Sequence, residues 1–113
     1  GWYSDQLGMR VVRSGDAPSR THFLADDQGT TVLEIQTGSL PVPAYATTDP
    51  NLLHLAFATD DVAATRRRLL EAGATAVGEI ATTAGGDELA MLRDPWGLAL
   101  QLVHRRRPLL AER

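Results

Sequence analysis

Apolar positions recur with a period of two over seven short stretches of the chain and with a helical period over two. Residues 1–7 carry Trp2, Tyr3 and Leu7 on one side and read as the end of an amphipathic helix closed by Gly8. A helix seldom starts at a first residue with no cap, so an upstream strand and the first part of this helix are expected to precede it. Strands are expected over 9–13, 21–25 and 31–37, with Asp26-Asp27-Gln28-Gly29 as the turn before the third. Pro41, Pro43 and Pro50 interrupt 39–51, which reads as an irregular linker. Beyond it come a strand over 52–58 with His54 inside it and a helix over 62–72 opened by Thr59-Asp60-Asp61 and ended by Gly73. Strands over 76–80, 88–93 and 99–104 follow, then a polar tail over 105–113.

The two halves repeat one another. Leu33-Glu34-Ile35 is echoed by Leu100-Gln101-Leu102, and each follows a turn, Asp27-Gln28-Gly29 or Asp94-Pro95-Trp96-Gly97. Leu7-Gly8-Met9 likewise matches Ala72-Gly73-Ala74, and the spacings from Gly8 to Glu34 and from Gly73 to Gln101 agree to within two residues. A short module used twice predicts an α+β fold of two βαβββ modules forming a curved mixed sheet around a groove, the first lacking its opening strand in this chain. The chain is expected to be a single domain over 1–113, with module one about 1–38, linker about 39–51, module two about 52–104 and tail 105–113.

Composition narrows the chemistry. With 113 residues and 43% hydrophobic content, such a chain buries roughly 65% of its unfolded surface without staples. Cysteine is absent, which excludes disulfides and thiolate catalysis and fits a cytoplasmic setting. The net charge of −3 argues against a nucleic-acid surface, and no apolar run has the length of a membrane span. All eleven basic residues are Arg, so Schiff-base and P-loop lysine chemistry are excluded.

Period two also sorts the faces. Val32, Glu34 and Gln36 share one face of the third strand. His54 shares a face with Leu52, Ala56 and Ala58, and Gln101 shares one with Ala99 and Val103. A sheet face lined with Ala and Val and carrying Glu, His and Gln is a candidate pocket, with Ala56, Ala99 and Trp96 as substrate-pocket residues. Arg66-Arg67-Arg68 and Arg105-Arg106-Arg107 read as solvated charge. Gly85-Gly86 marks either a lid loop or an ordinary hairpin turn.

Three stretches resemble a known group. Trp2 through Val12 is similar to the helix-to-strand segment of the vicinal oxygen chelate superfamily (glyoxalase, bleomycin-resistance and dioxygenase proteins). Leu53-His54-Leu55-Ala56-Phe57 with Asp60-Asp61-Val62 resembles the start of its second module, and Asp94-Pro95-Trp96-Gly97 through Leu102 its last turn and strand. Metal-dependent members draw four ligands from the first and last strands of each module. The resemblance therefore implies Glu34, His54 and Gln101 as metal ligands, the fourth lying upstream of Gly1, and Glu34 as the catalytic base. Gln101 departs from the family, which has Glu there. An amide brings no charge and no basicity, which disfavours extradiol dioxygenase chemistry.

Two functions follow from the resemblance. One is a metal-dependent lyase or isomerase of the glyoxalase or epimerase kind, with Ni, Zn, Mn or Fe stabilising an enediolate while Glu34 moves a proton. The alternative is a metal-free small-molecule binding protein of the bleomycin-resistance type, with Trp2, Trp96 and Phe57 as stacking surfaces. A regulatory module with a vestigial pocket is a third possibility. A homodimer is implied, with a small molecule as partner and neither nucleic acid nor membrane.

Overall fold

The computed structural model describes residues 1–16, 20–36 and 41–107. They form an α+β protein of two compact units, Gly1–Val42 and Pro43–Arg113. Residue 37 of the expected third strand, 39–40 of the expected linker and 108–113 of the tail lie outside the described residues.

The first unit runs α1 (Trp2–Leu7), β1 (Arg10–Ser14), β2 (His22–Ala25) and β3 (Thr31–Ile35). Gly8 ends α1 in the left-handed region, φ 65°, and its N–H donates to the Tyr3 carbonyl, as the glycine's position predicts. The strands pair antiparallel in the order β1-β2-β3. Val11, Leu24 and Leu33 stand in one cross-strand row, and Arg13, Phe23 and Glu34 in the next. Adjacent rows point to opposite faces. Met9, Leu24 and Ala25 are the unit's buried apolar residues among those described, while Val11, Val12, Val32 and Ile35 are exposed.

The second unit begins with a 3₁₀ turn, Tyr45–Thr47, followed by β4 (Leu55–Ala58), α2 (Val62–Glu71), β5 (Thr75–Thr82), β6 (Glu88–Arg93) and β7 (Ala99–His104). Its sheet has the order β4-β7-β6-β5, with β4 parallel to β7 and the remaining pairs antiparallel. This is the expected βαβββ module. The Asp61 side chain caps α2 by accepting from the Ala64 N–H at 3.0 Å. Gly73, φ 104°, closes it: Gly73 N–H reaches the Leu70 carbonyl and Ala74 N–H the Leu69 carbonyl, a Schellman pair.

Val62, Thr65 and Leu69 make the buried stripe of α2, which lies against β5, β6 and β7. The facing layer follows from register. Leu100 is flanked by Leu55 and Leu92, and Leu102 by Phe57 and Ala90. Leu69, Leu92, Leu100 and Leu102 are fully buried, each contributing about 2 kcal/mol by leaving water. Arg67 and Arg68 are exposed as expected. Arg66 instead reaches the Gly78 carbonyl at 3.3 Å, where β5 bulges against β6 and Gly78 takes φ 72°.

Three expectations need correction. The strand expected over 52–58 begins only at Leu55, because Asp49 organises a turn first. Its Oδ1 accepts the Asn51 N–H at 2.8 Å, and its carbonyl accepts those of Leu52 and Leu53. His54 therefore precedes the strand, and Leu52 is exposed in the turn. The prolines of the stretch read as irregular do not prevent a 3₁₀ turn at Tyr45–Thr47, since only Pro43 and Pro50 flank it and neither lies within it. The tail starts as an anchored segment: Arg105 Nη1 lies 3.3 Å from Asp87 Oδ2, and Arg106 N–H donates to Asp87 Oδ1 at 2.9 Å.

Candidate functional site

The second unit's sheet has one face under α2 and one face away from it. Register assigns the residues of the latter. Gln101 stands between Ala56 of β4 and Met91 of β6; Val103 between Ala58 and Leu89; Ala99 beside Arg93. Val77 of β5 extends the row through Met91. This face is apolar and partly open: Ala56 and Ala58 are exposed, and Val77, Leu89, Met91 and Gln101 are half-buried.

Gln101 is the polar group in the middle of it. Its side-chain amide makes no hydrogen bond among the described residues, although the side chain is flanked by apolar neighbours on both sides. A half-buried amide with both donor and acceptor unused is suited to a ligand. The sequence expectation that Ala56, Ala99 and Gln101 share a face holds in the register.

His54 is half-buried in the turn that precedes β4. Its Nδ1 lies 2.7 Å from the Pro50 carbonyl oxygen. A carbonyl only accepts, so the neutral ring carries its proton on Nδ1 and its lone pair on Nε2. That nitrogen is the one available to a hydroxyl donor or a metal ion.

Glu34 belongs to the first unit, where it is exposed on β3 opposite Phe23. Trp96 is 67% exposed at the β6–β7 turn. Asp94 builds that turn: its Oδ1 accepts the N–H groups of Trp96 and Leu98, both at 2.9 Å, and Gly97 takes φ 98°. The loop with Gly85-Gly86 is also a closed turn. Thr83 N–H donates to the Asp87 carbonyl, Asp87 N–H to Thr83 Oγ1, and Gly86 N–H to the Thr83 carbonyl. These bonds fit the ordinary hairpin better than a lid.

His54 Nε2 and the Gln101 oxygen give the second unit two candidate ligands, both neutral, where a metal centre of this kind takes four or more, at least one of them anionic. Among the described residues no three His, Cys, Asp or Glu side chains gather to hold an ion. The second unit's own residues therefore do not fit a metal by themselves.

Sequence reasoning missed Arg93. It lies on the open face opposite Ala99, and its guanidinium donates to the carbonyls of Tyr45, Gly97 and Thr48 at 2.8, 3.0 and 3.0 Å. The one available signal was an arginine closing a strand of alternating apolar residues.

Residues 1–103 match the family model described as a glyoxalase-like domain. The crystal structure of SMU.1112c is similar at 30% identity and TM-score 0.69, covering 91% of this chain and 85% of that one. A glyoxalase family protein from Bacillus cereus is similar at 16% identity and TM-score 0.71, covering 88% and 79%. The E144Q mutant of glyoxalase I from Zea mays is similar at 24% identity and TM-score 0.69; the match covers 94% of this chain but 40% of the maize chain. None of the curated proteins matches significantly. The repeat, the βαβββ module and the family match agree, and the chain belongs to the glyoxalase-like family of the vicinal oxygen chelate superfamily.

Proposed function

We propose that the open sheet face of the second unit binds a small organic molecule without a metal ion. The observation that carries this reading is the Gln101 amide, which has no hydrogen-bond partner among the described residues, in the middle of an apolar face. The ligand class follows from the donors and acceptors. An apolar body covers Ala56, Ala58 and Met91, one polar group meets the Gln101 amide, and a hydroxyl or N–H donates to His54 Nε2. The test is a thermal-shift and calorimetric screen of small metabolites and drugs against the wild type, Gln101→Leu and His54→Ala. Ligands are expected whose affinity falls about tenfold in Gln101→Leu, the worth of one lost hydrogen bond. Equal binding by wild type and Gln101→Leu overturns the reading.

The His54 tautomer favours a second reading, in which Nε2 is a ligand to Ni, Zn, Mn or Fe and the protein is a lyase or isomerase of the glyoxalase kind. Titration with each ion beside His54→Ala separates the two: about one ion per site, lost in the variant, establishes the metal reading. Glu34→Ala then measures whether this carboxylate serves as ligand and base. A homodimer is the expected assembly, checked by light scattering after size exclusion. Among the described residues no helix is long and apolar enough to cross a membrane; a cytoplasmic location is part of the proposal and is checked by fractionation.

A further inference from the structure

We infer that Arg93 is a positioning residue that fixes His54 through the strap formed by residues 43–53; the inference rests on the pocket reading above for its functional meaning. The guanidinium donates from Nη1 to the Tyr45 and Gly97 carbonyls and from Nη2 to the Thr48 carbonyl. All three partners are backbone carbonyls, so Arg93 tethers the strap's main chain independently of its side chains. The planar fork of donors is what lets one residue span Tyr45 and Thr48 together; a lysine ammonium has no such fork.

The strap is held from a second side. A Cβ on Gly97 would lie 2.7 Å from Ala46 Cβ, so the β6–β7 turn approaches the strap at a distance only glycine permits. Within the strap, Thr47 and Thr48 hydroxyls both donate to the Ala44 carbonyl. From Thr48 the chain passes directly into the Asp49 turn, whose bonds to Asn51, Leu52 and Leu53 N–H leave the Pro50 carbonyl as acceptor for His54 Nδ1. The path from Arg93 to His54 is thus a continuous run of hydrogen-bonded backbone. It starts on the same sheet face that carries Gln101, two residues along β6 from Met91. Releasing the strap removes the fixed acceptor for Nδ1. His54 then reverts to the Nε2–H form that free imidazole prefers, and Nε2 turns from acceptor into donor.

The test reads the tautomer by side-chain ¹⁵N NMR on the full chain without ligand, at a pH where the imidazoles are neutral. His22 and His104, the other two histidines, serve as internal references. Wild type is expected to show His54 as Nδ1–H. Arg93→Met is expected to shift the tautomer ratio about tenfold toward Nε2–H, the effect of losing one hydrogen bond, with His22 unchanged. Leu92→Ala, which weakens the core beside Arg93 without touching the strap, is expected to leave the ratio as in wild type. An unchanged His54 in folded Arg93→Met, or an equal shift in Leu92→Ala, overturns the inference. Should Arg93→Met not fold, Arg93→Lys carries the test: its single ammonium lacks the planar fork that spans Tyr45 and Thr48, so the ratio is expected to shift toward Nε2–H, and a wild-type ratio there overturns the inference equally. This readout needs no ligand or metal, so a protein that binds nothing defeats the pocket reading while leaving the Arg93 result standing, and the reverse.

Discussion

The two Asp–Gly turns are built alike and placed differently. In the first unit, Asp26 Oδ1 accepts from Gln28 and Thr30 N–H at 3.0 and 2.9 Å, and Gly29 N–H returns to the Asp26 carbonyl at 3.1 Å with φ 84°. In the second, Asp94 Oδ1 accepts from Trp96 and Leu98 N–H, and Gly97 N–H returns to the Asp94 carbonyl at 3.0 Å with φ 98°. The bond pattern is the same, residue for residue. Asp26 is only half-buried, however, whereas Asp94 is buried, and the Gly97 turn is pressed against the strap. The units differ in the same sense. A ten-residue helix covers the second sheet with Val62, Thr65 and Leu69, while the six-residue α1 has no buried residue. An identical local motif thus carries very different amounts of packing.

The sharpest way to break that comparison is to truncate one leucine in the middle of each sheet. Leu100→Ala empties a fully buried position between Leu55 and Leu92 and is expected to cost about 4 kcal/mol. Leu33→Ala, at a half-buried position in the first sheet, should cost about 1 kcal/mol because water already reaches the side chain. Urea unfolding checks both. Trp2 and Trp96 are the chain's two tryptophans and lie one in each unit, so Trp→Phe variants report each unit separately. Equal losses would mean that the burial contrast has no energetic weight.

The turns themselves give the next effect in size. Gly97→Ala puts a methyl group against Ala46 in a left-handed backbone and is expected to cost about 2–3 kcal/mol, strain and overpacking together. Gly29→Ala meets only the Arg10 guanidinium at 3.6 Å, a flexible end that moves aside, leaving the backbone term of about 1 kcal/mol. Thermal unfolding of the two variants measures the difference. The comparison fails if Gly29→Ala proves the more costly.

Much of this was legible in the chain. Among the described residues, hydrophobic periodicity and punctuation placed the seven strands and two α-helices, and they placed β6 and β7 to the residue, because Leu-Ala-Met-Leu and Leu-Gln-Leu-Val are bounded by turn-forming residues. The start of β4 was misjudged because Leu52 and Leu53 continue the apolar run of the strand, while the bonds that hold them in a turn come from Asp49, three and four residues earlier. The Gln101 environment was legible because alternation fixes faces. The strap contact was not: Arg93 and Tyr45 are far apart in sequence, and no local pattern announces a guanidinium that binds main-chain carbonyls.

Two smaller effects sharpen the contrast further, because they probe how much of the second unit's order is local. The Asp61 cap of α2 has no counterpart at α1, whose N-cap position is Gly1 and makes no side-chain cap bond. Asp61→Ala is expected to cost about 1 kcal/mol, read by urea unfolding, and to raise hydrogen exchange over the first turn of α2 while β1–β3 stay as in wild type. The Asp87–Arg105 pair is the weakest of these contacts, at 3.3 Å with both side chains partly in solvent. A double-mutant cycle on Asp87→Ala and Arg105→Ala should give a coupling of about 0.5 kcal/mol that shrinks with added salt. Asp87→Ala alone should cost more than that coupling, since Asp87 also accepts the Arg106 N–H. A single-variant loss no larger than the coupling would assign the anchoring of Arg105 and Arg106 to the ion pair and remove the backbone bond from the argument.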